Sequence, residues 1–296
     1  MTSPPVTPAG YADADAPGVR RAPTALVTGT VVALVLVVVI GLLVVKISEG
    51  SRSAPASPVA AAPTAVVQAV TTVDRAVSDT VGAPAGVAPL PVVLGGQRPL
   101  RIDGKPAVVF VGSEFSPYCA ALRWALVVAL SRFGTLGRLG ATTSSRAEAF
   151  GALATFSFSR ATYRSRRLAF SAVEEYGPAL STTYPAGFPA LRRPDRLARA
   201  LLARYGGGSG TLPFVDIGNR VVVDGDDIGF SPASLQGLSM AQIAADLSEP
   251  TSPVASAVLG TANELTAGIC AVTGGLPRKL CRSPGVRAGA LRLGLT

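Results

Sequence analysis

Ala107-Val-Val-Phe-Val111, Gly112-Ser-Glu-Phe115 and Ser116-Pro-Tyr-Cys119 are three consecutive pieces of sequence, and an apolar run from Ala120 to Phe133 follows them. The first piece is short and rich in β-branched residues, which predicts a buried strand. Ser116 is a favourable N-cap and Pro117 suits the first helical position, so a helix is expected to begin there. The stretch therefore predicts a strand that leads into a mostly buried helix, with Cys119 at the junction.

A cysteine in the first turn of a helix lies where the helix dipole favours a thiolate, as in thiol–disulfide enzymes. Here, however, Ser116 occupies the position of the first cysteine of a C-x-x-C pattern. Dithiol exchange needs an attacking thiol and a second thiol that resolves the mixed disulfide, and a hydroxyl without a strong base can replace neither. Because the chain contains no histidine, Ser–His and Cys–His nucleophilic pairs are excluded.

The formal net charge of +9 comes almost entirely from arginine. Positive charge suits nucleic acid or an anionic membrane, but it also follows from a genome that favours Arg, Ala, Val and Gly codons. We adopt the compositional interpretation and expect no nucleic-acid partner, because the chain also carries a membrane segment. Three scattered cysteines without histidine cannot form a usual zinc site, so no metal and no cofactor are expected.

Residues 25–45 are uncharged and almost entirely aliphatic. Their length matches the ~20 residues that cross a bilayer as a helix, whereas a cleaved signal peptide has a core of about 7–15 apolar residues. We interpret them as a transmembrane helix, and a cleaved leader and a buried core helix are the alternatives. Residues 1–24 are predicted to be a disordered cytoplasmic tail, and residues 46–63 a Ser/Ala/Pro-rich linker.

The charges that flank the apolar segment do not determine its orientation, because two basic residues stand on each side. Cys270 and Cys281 flank a Gly- and Pro-containing turn and can close a short loop as a structural disulfide, which requires an oxidising compartment. We therefore expect a single-pass protein of the cell membrane, with a cytoplasmic N-terminus and an extracytoplasmic C-terminal domain.

Residues 64–99 are predicted to form one amphipathic helix followed by a loop. Valines recur there at steps of three and four residues, at positions 66, 70, 73, 77 and 81. Packing of this stripe onto the domain is the favoured interpretation, and a partner-binding or membrane-lying surface is the alternative. The arginine-rich run 160–167 is interpreted as a solvated turn rather than an anion site.

Residues 100–250 are predicted to form the main domain. A helix is expected over 194–205, and Pro213 opens a β-hairpin that turns at Gly218-Asn219. Ser239 and Gln242 form a capping box for another helix, and residues 253–272 follow with a further helical pattern. Residues 251–296 are assigned as a C-terminal helix with a tail that carries the cysteine pair. The order of elements predicts an α/β sandwich with a βαβ unit followed by a ββα unit.

The organising stretch and the Leu212-Pro213 segment together resemble the thioredoxin-fold superfamily. More closely, residues 104–106, 111–132 and 155–158 and the late cysteine pair resemble an uncharacterised family, "domain of unknown function nine-two-nine". The resemblance implies a three-layer thioredoxin-like sandwich with extra helices after one transmembrane helix. It also implies thiol oxidoreductase activity through C-P-x-C, from which this chain departs at Ser116. Cys119 then stands in the place of the less exposed cysteine.

Two functions are compatible with these residues. The first is a membrane-anchored thioredoxin-like module that has lost dithiol exchange and uses a surface at Tyr118, Leu212 and Pro213, which the resemblance implies, to bind an extended polypeptide. The second is a monothiol oxidoreductase in which Cys119 forms a mixed disulfide with a small or protein thiol. A pairing of Cys119 with Cys270 or Cys281 is a further alternative. Glu114 is a weak candidate for proton relay to Cys119, and a solvated loop carboxylate is its alternative interpretation.

Overall fold

The computed structural model describes residues 59–84, 92–182, 187–207 and 211–295. The predicted tail 1–24, the predicted transmembrane helix 25–45 and most of the linker 46–63 lie outside these residues. The described strands are β1 (Ala60–Ala61), β2 (Val92–Val93), β3 (Arg101–Ile102), β4 (Lys105–Gly112), β5 (Thr135–Gly137), β6 (Gly140–Thr143), β7 (Ala154–Ser157), β8 (Thr162–Arg164), β9 (Ala169–Glu174), β10 (Phe214–Ile217) and β11 (Val221–Asp224). The described helices are α1 (Thr64–Thr71), α2 (Arg75–Val81), α3 (Pro117–Ser131), α4 (Arg196–Tyr205), α5 (Met240–Asp246), α6 (Pro253–Val272), α7 (Arg278–Cys281) and α8 (Pro284–Arg292).

The main sheet has strand β4 at its centre. Strand β9 pairs with it in parallel over Ala107 to Gly112, and β10 pairs with its other edge in an antiparallel direction. Strand β11 pairs with the other edge of β10, and β2 pairs with the other edge of β11. The short strand β3 pairs with the first residues of β4. Strand β4, helix α3 and strand β9 thus form a βαβ unit, and β10 and β11 form the predicted hairpin. The mixed α/β class expected from the sequence is confirmed.

Alternate residues of β4 face two separate apolar cores, as the period of a strand requires. Val108 and Phe110 point to the side covered by α3 and α6, whereas Val109 and Val111 point to the side covered by α4. Both faces of β4 are therefore buried, which explains its almost continuous apolar sequence.

Helix α3 begins where its sequence predicts. The Ser116 hydroxyl accepts a hydrogen bond from the Cys119 N–H at 3.2 Å, and Pro117 occupies the first helical position. Almost the whole helix is buried, and the Trp124 indole N–H donates to the Ala154 carbonyl at 3.0 Å. Two small sheets, β1–β6–β7 and β5–β8, enclose this side of the core.

The valine-rich segment differs from the single predicted helix. It forms two helices, α1 and α2, because the chain leaves the helical path at Thr72 and Asp74 caps α2 by accepting from the Ala76 N–H at 2.9 Å. Val66 and Val70 are buried in the core, as the packing interpretation of the stripe expected. A good N-cap residue inside an apolar periodic pattern was the local signal for this break.

Helix α6 packs against α3 inside the same core as the main sheet. It is the one helix of the described residues that is long and apolar enough to cross a membrane, but 89 % of its most apolar window is buried within the protein. Its last turn carries Cys270, which forms a disulfide with Cys281 in α7. The capping box of Ser239 and Gln242 is present at α5.

Loss of the Cys270–Cys281 bond is expected to lower the free energy of unfolding. The bond closes a loop with a sequence separation of 11, and closing a loop of this size is worth about 3 kcal/mol through the entropy of the unfolded chain. A reducing agent should therefore lower the melting temperature of the wild-type chain. The double variant Cys270→Ala/Cys281→Ala should melt at the lower temperature with or without the reductant. A reductant effect that persists in this variant would contradict the assignment.

Candidate functional site

The Cys119 thiol lies in the first turn of α3 but is fully buried. Its sulfur accepts a hydrogen bond from the Ser113 N–H at 3.4 Å. The sulfur also lies close to the strand end, since a Cβ at Gly112 would approach it to 3.3 Å and would collide with the Phe110 ring. The end of β4 therefore covers the thiol.

Burial raises the pKa of Cys119 to about 11, although the positive charge of Arg123 and the hydrogen bonds from Ser116 and Ser113 act in the opposite direction. The penalty for a charge in an apolar environment thus outweighs the effect of the helix start. Cys119 is a free thiol, and Cys270 and Cys281 are bonded to each other. The alternative pairing of Cys119 with either of them is therefore wrong.

Arg123 lies one helical turn after Cys119 and forms a buried ion pair with Glu174 at the end of β9. Its Nε donates to Glu174 Oε1 at 2.9 Å and its Nη2 to Glu174 Oε2 at 2.6 Å. Nη2 also donates to the Ser113 carbonyl at 2.9 Å, and the guanidinium lies 5.7 Å from the centre of the Phe110 ring. Both side chains are fully buried. Arg123 thereby holds both Glu174 and Ser113, the residue after β4 whose N–H donates to the thiol.

The sequence offered a partial signal for this pair. Arg123 is a charge inside an otherwise apolar helix, four residues after Cys119 and hence on the same face. A guanidinium at such a position requires a buried acceptor. The acceptor, Glu174, lies 51 residues away in the sequence, and no local pattern identifies it.

Glu114 is 1 % exposed, so its interpretation as a solvated loop carboxylate is wrong. Its carboxylate accepts hydrogen bonds from the hydroxyls of Thr142, at 3.3 Å, and Ser157. Its backbone N–H donates to the Tyr176 carbonyl at 2.8 Å. Among the described residues, Glu114 has no hydrogen bond with Cys119. The structure thus places its carboxylate among the hydroxyls of two neighbouring strands rather than at the thiol.

Ser116 is 7 % exposed and its hydroxyl caps the helix, so it is not a free surface group. The Leu212–Pro213 peptide bond is cis. Pro213 precedes β10, whose first residue, Phe214, pairs with Val111 near the end of β4. The proline and the Cys119 thiol therefore lie at the same end of the sheet.

Tyr118 is half-buried and lies beside a shallow groove of about 230 Å³. Burial raises the pKa of Tyr118, and the negative charge of Asp226 adds to this effect. Phe150 meets the Tyr118 ring edge-on, with 6.3 Å between the ring centres. The groove is lined by Tyr118 and by residues of the loop after β11: Asp226, Asp227, Gly229, Phe230, Ser231 and Pro232.

Residues 95–184 match the model of a family described as "Domain of unknown function (DUF929)". The match spans β3 to β9 and includes Ser116, Cys119, Arg123 and Glu174. No curated protein and no solved structure matches the chain. The comparisons thus support the uncharacterised family for this segment and assign no activity.

Cys119 is expected to resist thiol-labelling reagents in the folded protein at neutral pH. The reactive thiolate is scarce when the pKa is about 11, and the sulfur has no contact with solvent. Labelling should become fast only in denaturant, with one thiol counted per chain while the disulfide is intact. Fast labelling of the native protein, abolished by Cys119→Ser, would contradict this structure of the site.

Proposed function

We propose that this chain is a membrane-anchored, extracytoplasmic thioredoxin-like protein that does not exchange dithiols and instead binds an extended polypeptide. One observation carries the proposal: the helix-start position that would present the attacking sulfur holds the Ser116 hydroxyl, and the remaining sulfur is fully buried. The arrangement keeps the surroundings of an exchange site but lacks an accessible thiolate.

The order of strands supports the thioredoxin-like assignment. Strands β9, β4, β10 and β11 are neighbours in this order, with β4 and β9 parallel and the hairpin antiparallel. A helix that begins with the degenerate motif follows β4, and a proline precedes β10. The same βαβ and ββα units are what the sequence resemblance implies.

The chemistry disfavours both kinds of thiol exchange. A dithiol mechanism has no attacking thiol, because an alcohol without a base does not cleave a disulfide. The monothiol alternative needs Cys119 to reach a substrate sulfur as a thiolate. Its burial and its raised pKa, about 11, oppose both requirements.

Open backbone groups at Leu212 support peptide binding. Among the described residues, none forms a backbone hydrogen bond with the N–H or the C=O of Leu212, which is half-buried. An extended peptide could pair with these groups while its side chains contact Tyr118. Asp226 and Asp227 are exposed at the groove, so a peptide with basic residues would be favoured.

The location rests on two features of the chain. The uncharged segment 25–45 has the length of a membrane helix. The Cys270–Cys281 disulfide is typical of proteins in an oxidising compartment, which supports a location outside the cytoplasm for the domain.

Ser116→Cys is expected to create disulfide-exchange activity in a chain that otherwise has none. The new sulfur would stand at the helix start, where a thiolate is favoured, and Cys119 could then resolve the mixed disulfide. Reduction of a model disulfide substrate by dithiothreitol, with and without the protein, measures this. Ser131→Cys adds a thiol at the other end of α3 and serves as the control. Activity of the wild type, or none in Ser116→Cys, would overturn the proposal that only the attacking thiol is missing.

Tyr118→Ala is expected to weaken peptide binding about tenfold, the effect of losing one aromatic contact of ~1.4 kcal/mol. Peptides selected from a random displayed library against the full-length chain should be enriched in Arg and Lys, and fluorescence anisotropy would measure their affinity. Tyr205→Ala, on α4 at the opposite face of the sheet, is the matched control. Equal affinity of both variants, or no selectable peptide, would contradict binding at this groove.

A further inference from the structure

A second polar cavity lies away from the start of α3. It has a volume of about 240 Å³ and lies where α2, the end of α3, α6 and the start of α8 meet. Its polar lining consists of Arg75, Ser78, Asp79, Arg132, Asn263 and Ser283. Neither the peptide groove nor the buried thiol shares a residue with it. The cavity therefore needs an explanation of its own.

Arg132 holds a partly buried positive charge in this cavity without a carboxylate partner among the described residues. Its Nη1 donates to Asn263 Oδ1 at 2.8 Å and to Thr266 Oγ1 at 2.7 Å, and its Nη2 donates to Ser78 Oγ at 3.0 Å. All these acceptors are neutral. The guanidinium has five N–H donors, so these bonds leave donors for a ligand.

The charged groups that line the cavity, Arg132 included, carry a net positive charge. Burial lowers its pKa to about 10; Asp79 opposes this shift and Arg75 adds to it, and the group stays charged at neutral pH. The Arg75 side chain is exposed at the cavity and forms no ion pair with a described residue. The Asp79 carboxylate accepts from the Gly285 N–H at 2.9 Å. Two guanidinium groups therefore face one carboxylate that already has a partner.

Ser283 adds an unused donor. It is 6 % exposed and precedes the nine-residue helix α8, but its hydroxyl does not cap the helix. No described residue provides a hydrogen-bond partner for this buried oxygen, which lines the cavity. A buried hydroxyl without a partner costs about 1–3 kcal/mol, so a ligand that accepts from it would be stabilising. The positive end of the α8 dipole lies at the same place, where the Asp79 carboxylate already accepts from the Gly285 N–H.

We propose that this cavity binds a phosphate-sized oxyanion, held by the guanidinium groups of Arg132 and Arg75 and by a hydrogen bond from the Ser283 hydroxyl. A tetrahedral anion with several acceptor oxygens matches this set of converging donors, and a guanidinium binds phosphate through paired N–H groups. The volume exceeds the ~30 Å³ that one water occupies in the liquid, so such an anion can be accommodated. Free phosphate and an esterified phosphomonoester, such as a lipid headgroup, share this chemistry.

Inorganic phosphate, titrated at constant ionic strength against the full-length chain in mild detergent, tests the site. It should raise the melting temperature of the wild type, and calorimetry should give a saturable isotherm. Ser283→Ala removes a hydroxyl that forms no hydrogen bond with a described residue, so the variant should fold normally and bind phosphate about tenfold more weakly. Arg75→Gln removes an exposed charge and should also weaken binding. Arg132 is left intact because its bonds connect α2, α3 and α6.

Arg98→Gln is the matched control, since it removes one exposed arginine charge outside the cavity. It should retain wild-type phosphate affinity. The same affinity in the wild type, Arg75→Gln and Ser283→Ala, or no saturable binding by the wild type, would overturn the site. Glycerol 3-phosphate distinguishes the sources: tighter binding than phosphate identifies an esterified ligand, and weaker binding identifies the free anion.

Discussion

The ion pair between Arg123 and Glu174 joins the first half of helix α3 to the last residue of β9. Both charges are fully buried, and removing either partner would leave an uncompensated charge, which typically costs 3–5 kcal/mol. The pair also sets register, because Glu174 lies opposite Gly112 in the parallel ladder and a slip of one residue would turn its side chain to the other face. The βαβ unit is thereby held in one arrangement.

The chemistry of Cys119 follows from this arrangement. Arg123 holds the Ser113 carbonyl, and the N–H of the same residue meets the sulfur. A helix start stabilises a nearby negative charge by about 0.3–1 kcal/mol, which is less than the ~1.4 kcal/mol that corresponds to a shift of one pKa unit. Burial therefore decides the protonation state, and the thiol stays neutral.

Two polar clusters of the protein differ in how completely they are satisfied. Each carboxylate oxygen of Glu114 accepts a hydrogen bond from a hydroxyl group on a neighbouring strand. The cavity at Arg132 contains a guanidinium that forms no ion pair with a described residue, and the Ser283 hydroxyl there forms no hydrogen bond with one. A network in which every polar group has a partner stabilises the fold by itself. A network with unsatisfied groups gains stability when a ligand supplies the missing partners.

Local sequence determined the elements whose signals lie within a few residues of one another. These include the start of α3 at Ser116-Pro117, the apolar strand β4, the hairpin after Pro213, the capping box at Ser239 and the short-range Cys270–Cys281 bond. Each of these features depends on secondary-structure propensity, on a capping residue or on a short loop, and all three act between residues that are close in the sequence.

Tertiary structure alone decided which polar side chains meet. The burial of Glu114 depends on Ser157, 43 residues away, and Arg132 meets Asn263 across 131 residues. The insertion of α6 into the core likewise arises from packing with distant elements. Contacts of this kind depend on how strands and helices fit together in space, and no periodicity or spacing within the sequence encodes them.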